Sequence, residues 1–315
     1  MLFSLAAQEP EATATAFLQD QLLYHGYEQI ELRRSGENRL FLFGKLDGRK
    51  HSLLVDTGWS FTTVSANTVE KPRTQRGRET QPGDRDPIPG FTLPSDAVLL
   101  NHLRLGRVAF TNQPAVVQDI VFNGRRAPFD VVLGCDFLVR NYAVIDCLKR
   151  RLYTRRLRPS QEGQAEFENA LRQNGYRPVE LARTVPLALT CPAHLNGEPV
   201  GLLVDTGAVW SCLDAELAKR LGLKLLPTPR QITGAGSTGR RGFAVAKVQS
   251  VELGGATMRS LNFAVLQLGD WGLAAPGKPL AQVGGILGGT ELAAYHAVID
   301  CHGLKLWLKS PPAPR

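Results

Sequence analysis

No apolar stretch in this sequence reaches the ~18 residues that a bilayer-crossing helix requires, so no membrane partner is expected. Cysteine is scarce. The five thiols, Cys135, Cys147, Cys191, Cys212 and Cys301, form an odd and widely spaced set, which excludes a disulfide framework. CxxC and HExxH are both missing, so neither a metal site nor a cofactor is expected. GxSxG is missing too. The histidines, His25, His51, His102, His194, His296 and His302, stand beside no nucleophile motif, which argues against a serine or cysteine triad. The start, Met1 to Ala7, is apolar but lacks the basic flank and the length of a secretory signal. That favours the cytoplasm, with periplasm or secretion the alternative if a longer leader precedes it.

What is present is ordinary globular composition. The 315 residues are 43% hydrophobic and 21% charged, a length that fits about two domains. Net charge is +8, and the densest basic run is Lys149, Arg150, Arg151, Arg155, Arg156 and Arg158. No nucleic-acid motif accompanies it, so it reads as a solvated connector and nucleic acid is not an expected partner.

The chain is written twice. Tyr27-Glu28-Gln29-Ile30-Glu31-Leu32 returns 149 residues later as Tyr176-Arg177-Pro178-Val179-Glu180-Leu181. At the same shift Asp47-Gly48 falls on Asn196-Gly197, and Leu53-Leu54-Val55-Asp56-Thr57-Gly58 on Leu202-Leu203-Val204-Asp205-Thr206-Gly207. Further on, Val131-Val132-Leu133-Gly134 matches Gly285-Ile286-Leu287-Gly288, and Ala143-Val144-Ile145-Asp146-Cys147 matches Ala297-Val298-Ile299-Asp300-Cys301. The order of features is kept, so the chain divides into 1–158 and 159–315.

Each half opens with a predicted helix. Phe17, Leu18, Leu22 and Leu23 form a stripe ending at Gly26, and Phe167 and Leu171 repeat it before Gly175. Asp47-Gly48 and Asn196-Gly197 predict tight hairpins, because both central residues must accept positive φ. Leu53 to Val55 and Leu202 to Val204 read as buried strands. Asp214 caps a helix ending at Gly222. The rest is strand and turn, and the predicted fold is mainly β.

Asp-Thr-Gly after an apolar strand has a chemical logic. The strand delivers a carboxylate into a dry interior, glycine leaves space and amide donors beside it, and the threonine hydroxyl can bond backbone across the site. Two such loops face to face bring two carboxylates together, which then share one proton, so one serves as base and the other as acid.

On these motifs each half resembles a retropepsin-like aspartic protease domain, from about Tyr27 to Arg151 and from about Tyr176 to Lys309. The resemblance implies two pseudo-two-fold related acid-protease β-barrel domains, an aspartic endopeptidase acting on peptide or protein substrate, and Asp56 and Asp205 as the catalytic pair. Thr57, Gly58, Thr206 and Gly207 would shape the loops, and Leu133-Gly134 and Leu287-Gly288 would pack beneath them. Family members with one copy dimerise, so here a monomer should suffice as an intrachain pseudo-dimer. A flap is expected at Gly234, Ala235, Gly236 and Ser237. These residues lie in a formal GxGxxG, but the following Phe243 to Val248 reads as strand and not as the helix of a dinucleotide site.

The first half departs from the pattern. Trp59 stands where the family has a small residue, and either packs or shapes a substrate pocket. Neither Trp59 nor Ala208 offers the hydroxyl that pepsin-like enzymes often place there, which implies a mildly acidic optimum. Residues 70–95 are Pro-rich and charged, with no clean glycine hairpin. Asp146 and Asp300 read as turn carboxylates. The competing class is a peptide-binding scaffold that kept the fold and lost turnover.

Overall fold

The structure is a computed structural model and describes residues 11–36, 38–68, 88, 94, 97–122, 125–184, 187–232, 241–271 and 283–310. Strands make up 48% of it and helices 19%, in line with the mainly β reading. The repeat is visible element by element. Helix Glu11–Tyr24 opens the first half and helix Gln161–Gln173 the second, and both end before a glycine at positive φ, Gly26 and Gly175. Ser160 caps the second helix by accepting from the Gly163 amide. Leu18 and Leu22 are buried as the stripe requires, but Leu23 is 43% exposed, so the buried stripe is narrower than the sequence pattern suggested. The helix rests on a sheet, and only positions four apart reach it.

In each half two seven-residue strands form a hairpin, Leu40–Leu46 with Arg49–Val55 and Leu189–Leu195 with Glu198–Val204. Asp47 and Asn196 hold φ of 48° and 51°, followed by Gly48 and Gly197 at 84° and 88°. These are the two consecutive left-handed residues expected of the turns. The second strand of each hairpin pairs in parallel with a late strand. Leu53, Leu54 and Val55 align with Val131, Val132 and Leu133, and Leu202 to Val204 with Gly285, Ile286 and Leu287. Motifs some eighty residues apart therefore lie side by side. The second sheet closes on itself, because Leu189–Leu195 also pairs with the long strand Arg241–Leu253. The first shows no such closure among the described residues.

A third sheet joins the halves. Its order is Glu28–Glu31, Arg151–Thr154, Val144–Asp146, Val298–Asp300, Lys305–Leu308, Arg177–Glu180, three strands from each half in mirrored sequence. Ile145 faces Ile299 at the central antiparallel pairing, on the pseudo-two-fold axis. One face of this sheet places Ile145, Leu152, Ile299 and Leu306 in the main core. The other buries Val144, Tyr153, Val298 and Trp307 beneath the two helices, against Leu18, Leu22, Phe167 and Leu171. Period-two alternation thus serves two cores at once. All five cysteines are buried thiols, Cys147 and Cys301 at the ends of these central strands.

Candidate active site

Asp56 and Asp205 leave their strands at the centre of the molecule, where the halves meet. The Asp56 amide donates to the Leu133 carbonyl at 3.1 Å and the Asp205 amide to the Leu287 carbonyl at 3.0 Å. Gly134 and Gly288 lie directly beneath the loops. A Cβ on either would overlap backbone, that of Trp59 and Phe61 in one half and of Trp210 in the other. Leu133 and Leu287 thus hold the aspartate amides, and Gly134 and Gly288 lie against the loop backbone.

Thr57 and Thr206 lock the two loops reciprocally. Thr57 Oγ1 donates to the Val204 carbonyl at 2.7 Å and accepts from the Thr206 amide at 3.1 Å. Thr206 Oγ1 donates to the Val55 carbonyl at 2.8 Å and accepts from the Thr57 amide at 3.1 Å. All four bonds are buried and cross between the halves. Gly58 lies against the Asp205 carboxyl and Gly207 against the Asp56 carboxyl, so closely that any side chain would collide with them. The two carboxyls thereby lie close enough for each to act on the other's proton.

Their surroundings are unequal. Asp205 Oδ1 accepts from the amides of Gly207 at 2.7 Å and Ala208 at 2.9 Å. Asp56 Oδ1, among the described residues, accepts from the Gly58 amide alone, at 2.9 Å. Burial pushes both carboxyls above the usual aspartate range. Asp56 goes well above, because the Asp205 charge and the hydrogen bond with Asp205 add to the desolvation. For Asp205, burial is opposed by the hydrogen bond from Asp56 and the two backbone amides. Arg39 lowers both. It precedes strand Leu40–Leu46, and its Nε donates to the Gly207 carbonyl at 3.0 Å, so a first-half cation grips the second-half loop.

Beneath each loop is a buried acid that the sequence reading did not select. Asp136 accepts from the Thr62 amide at 2.6 Å, the Thr62 hydroxyl at 2.7 Å and the Phe137 amide at 2.7 Å. Glu291 accepts from the Ser211 amide at 3.1 Å and hydroxyl at 2.5 Å. Each hydroxyl in turn accepts from a glycine amide, Gly134 at 3.4 Å and Gly288 at 3.0 Å. Burial raises the carboxyl of Asp136 to about 6 and also raises that of Glu291. Cys135 completes the floor, its Sγ donating to the Thr57 carbonyl at 2.9 Å.

Trp59 Nε1 donates to Thr63 Oγ1 at 2.8 Å, and the half-buried side chain packs on Leu54, Ile120, Ala127, Phe129 and Val132. Of its two readings, packing is the one with contacts. Asp146 and Asp300 sit away from the pair and close turns, accepting from the Lys149 and Gly303 amides at 2.8 Å each. The expected flap, Gly234, Ala235, Gly236 and Ser237, lies outside the described residues, as does most of 70–95. The strands flanking the flap, Leu225–Ile232 and Arg241–Leu253, form an antiparallel hairpin. A strand therefore follows the GxGxxG, as the sequence predicted, where a dinucleotide site has a helix. A cavity of about 540 Å³ opens at this hairpin, lined by Leu225, Pro227, Arg241, Phe243, Val265 and Asp270 among others, and neither aspartate borders it. Among the described residues, no three His, Cys, Asp or Glu side chains converge on a point where a metal ion would sit.

The sequence profile described as "Aspartyl protease" matches residues 43–137 and 191–290, one stretch in each repeat and more than half the chain together. The chain belongs to the aspartyl protease family. Among solved structures, the aspartic proteinase from Irpex lacteus superposes with a TM-score of 0.53 over 91% of this chain and 98% of that one, at 15% identity. At that identity the likeness establishes the shared fold alone. The retropepsin-like aspartic protease from Rickettsia conorii is 24% identical over 43% of this chain and 92% of its own, with a TM-score of 0.32. Basic 7S globulin from soybean is 11% identical over 90% and 95%, with a TM-score of 0.48. No curated protein matches the sequence. The two family matches span both Asp-Thr-Gly loops, and both Leu-Gly segments fall within or beside them.

Proposed function

We propose that this member of the aspartyl protease family is an aspartic endopeptidase, in which Asp56 and Asp205 activate one water against a peptide bond. The observation that carries the reading is the meeting of two buried aspartates, one from each repeat, between loops tied by four crossed threonine bonds. Asp205 is the ionised base, because two backbone amides favour its charge. Asp56 is the acid, because burial and the Asp205 charge hold its proton.

Asp205 takes a proton from water as the oxygen attacks the carbonyl carbon, and Asp56 gives its proton to the carbonyl oxygen. The tetrahedral adduct then collapses: Asp205 returns its proton to the amide nitrogen as the C–N bond breaks, and Asp56 takes a proton back from a hydroxyl of the adduct, which restores the pair. The substrate is an extended protein or peptide segment lying between halves 1–158 and 159–315. It pairs its backbone with the hairpin of Leu225–Ile232 and Arg241–Leu253. Both carboxyls come from one chain, so a monomer carries the complete site.

The test is cleavage of an unfolded protein by the full chain and by Asp205→Asn. Wild type should cut in a pepstatin-sensitive manner, and the variant should lose on the order of 10³-fold or more in rate. Equal cleavage by the two would remove the reading.

A further inference from the structure

The first-half sheet has two faces. One packs into the main core. The other is covered near the aspartates by Ile120, Ala127 and Phe129, which bury Leu54 and pack on Phe41, and is open towards its far end. On that open part Arg104, Lys45 and Lys50 lie in one row across three strands, because Lys45 pairs in register with both Arg104 and Lys50. All three are exposed. Partners directly opposite across antiparallel strands point to the same side, about 5 Å apart. Like charges so placed destabilise a sheet, and none of the three has a carboxylate partner among the described residues.

Next to the row, Phe43 is 42% exposed, with Lys50 over its ring at 4.5 Å and Arg33 at 5.3 Å. Arg126 stands at the covered margin, paired with Asp130. The duplicated half is an internal control. Its equivalents of Arg33, Phe43, Lys45 and Lys50 are Ala182, Pro192, His194 and Pro199, and the residue facing His194 is Glu252. The same scaffold forms there without the cations, so folding does not demand them.

We propose that this face is an exosite that holds an acidic segment of a protein substrate while another part of that substrate lies between the two aspartates. It rests on the peptidase reading above and adds a substrate class to it. The partner is an acidic polypeptide, because the Phe43 ring is taken up by Lys50 and Arg33. With two cations already over it, the ring is a poorer surface for a base or a lipid chain than a bare aromatic. An extended acidic strand crossing the sheet meets the row Arg104, Lys45, Lys50 one cation at a time, and steering by opposite charge raises its encounter rate.

The experiment uses the full chain carrying Asp205→Asn, which leaves the exosite intact, and a fluorescent poly-glutamate peptide as probe. Binding should weaken by about tenfold or more when Lys45→Gln, Lys50→Gln and Arg104→Gln are combined, and should fall steeply with added salt. Circular dichroism establishes that the triple variant folds; should it not, the salt dependence of the parent protein and the single variants decides. In the active chain, an acidic tail on a cleavable peptide should lower KM, leave kcat unchanged and lose this advantage in the triple variant. Equal binding by parent and triple variant overturns the exosite. Tighter binding of a single-stranded oligonucleotide or of anionic vesicles than of poly-glutamate overturns its assignment to acidic protein. Failure to cleave any peptide overturns the peptidase reading alone, since the poly-glutamate measurement is made on a chain that does not cleave.

Discussion

Among the described residues one backbone amide reaches Asp56 and two reach Asp205, and in the proposed mechanism that difference makes one side chain the acid and the other the base. A quieter carboxyl lies below. Asp136 is 1% exposed, takes three hydrogen bonds at 2.6 to 2.7 Å, and is still raised to about 6 because burial outweighs them. A carboxyl with a folded value above its unfolded one binds its proton more tightly in the folded state. Its contribution to stability is complete below the unfolded value and is lost as pH rises through about 6. Wild type should therefore lose on the order of 2–3 kcal/mol across that range from this group. Asp136→Asn keeps an acceptor for Thr62 but cannot ionise, so its pH profile should lack this loss, measured as Tm from pH ~4 to ~8. Asp56 and Asp205 were legible because the repeat flags them twice. Asp136 and Glu291 were not, because their places in the repeat differ by one residue. Arg39 was hidden for the same kind of reason, since its counterpart is Ala188.

At the scale of elements, the loops depend on each other more than on their own strands. Each threonine hydroxyl gives one bond to a strand of the other half and takes one from the other loop. Thr57→Val keeps the shape and removes both, leaving the Val204 carbonyl and the Thr206 amide buried without partners. At about 1–3 kcal/mol for each orphaned group, the variant should be less stable by roughly 3 kcal/mol. Thr57→Ser should recover most of this, as read from denaturant midpoints at constant m. Helices, hairpins and the strands bearing the aspartates were readable because each rests on local signals: a stripe, a pair of left-handed residues, an apolar run. The six-stranded joining sheet was not. Val144–Asp146 meets Val298–Asp300 across more than 150 residues of chain, and short apolar strands carry no mark of their partner.

For the whole molecule, the two halves share an arrangement of elements but differ in detail. Among the described residues the second sheet closes while the first does not, the cation row sits on one side, and Arg39 reaches across from the first half to the Gly207 carbonyl. These asymmetries bear on how activity follows pH. In the proposed mechanism the acid limb reports protonation of the ionised member of the pair, and the alkaline limb reports loss of the shared proton. Burial raises both members, and position 59 or 208 supplies no hydroxyl to pull either back. The bell should accordingly peak in mildly acidic solution; a maximum near pH ~2 would contradict the balance of forces described for the pair. Arg39 is the cation that opposes the burial of both carboxyls. Removing a positive charge makes each carboxylate harder to form, so in Arg39→Gln both limbs should move to higher pH, with Asp56 and Asp205 unchanged. A purely structural role for Arg39 would lower kcat at every pH and leave both limbs where they are, so the pH-rate profiles of the two proteins separate the electrostatic role from the structural one.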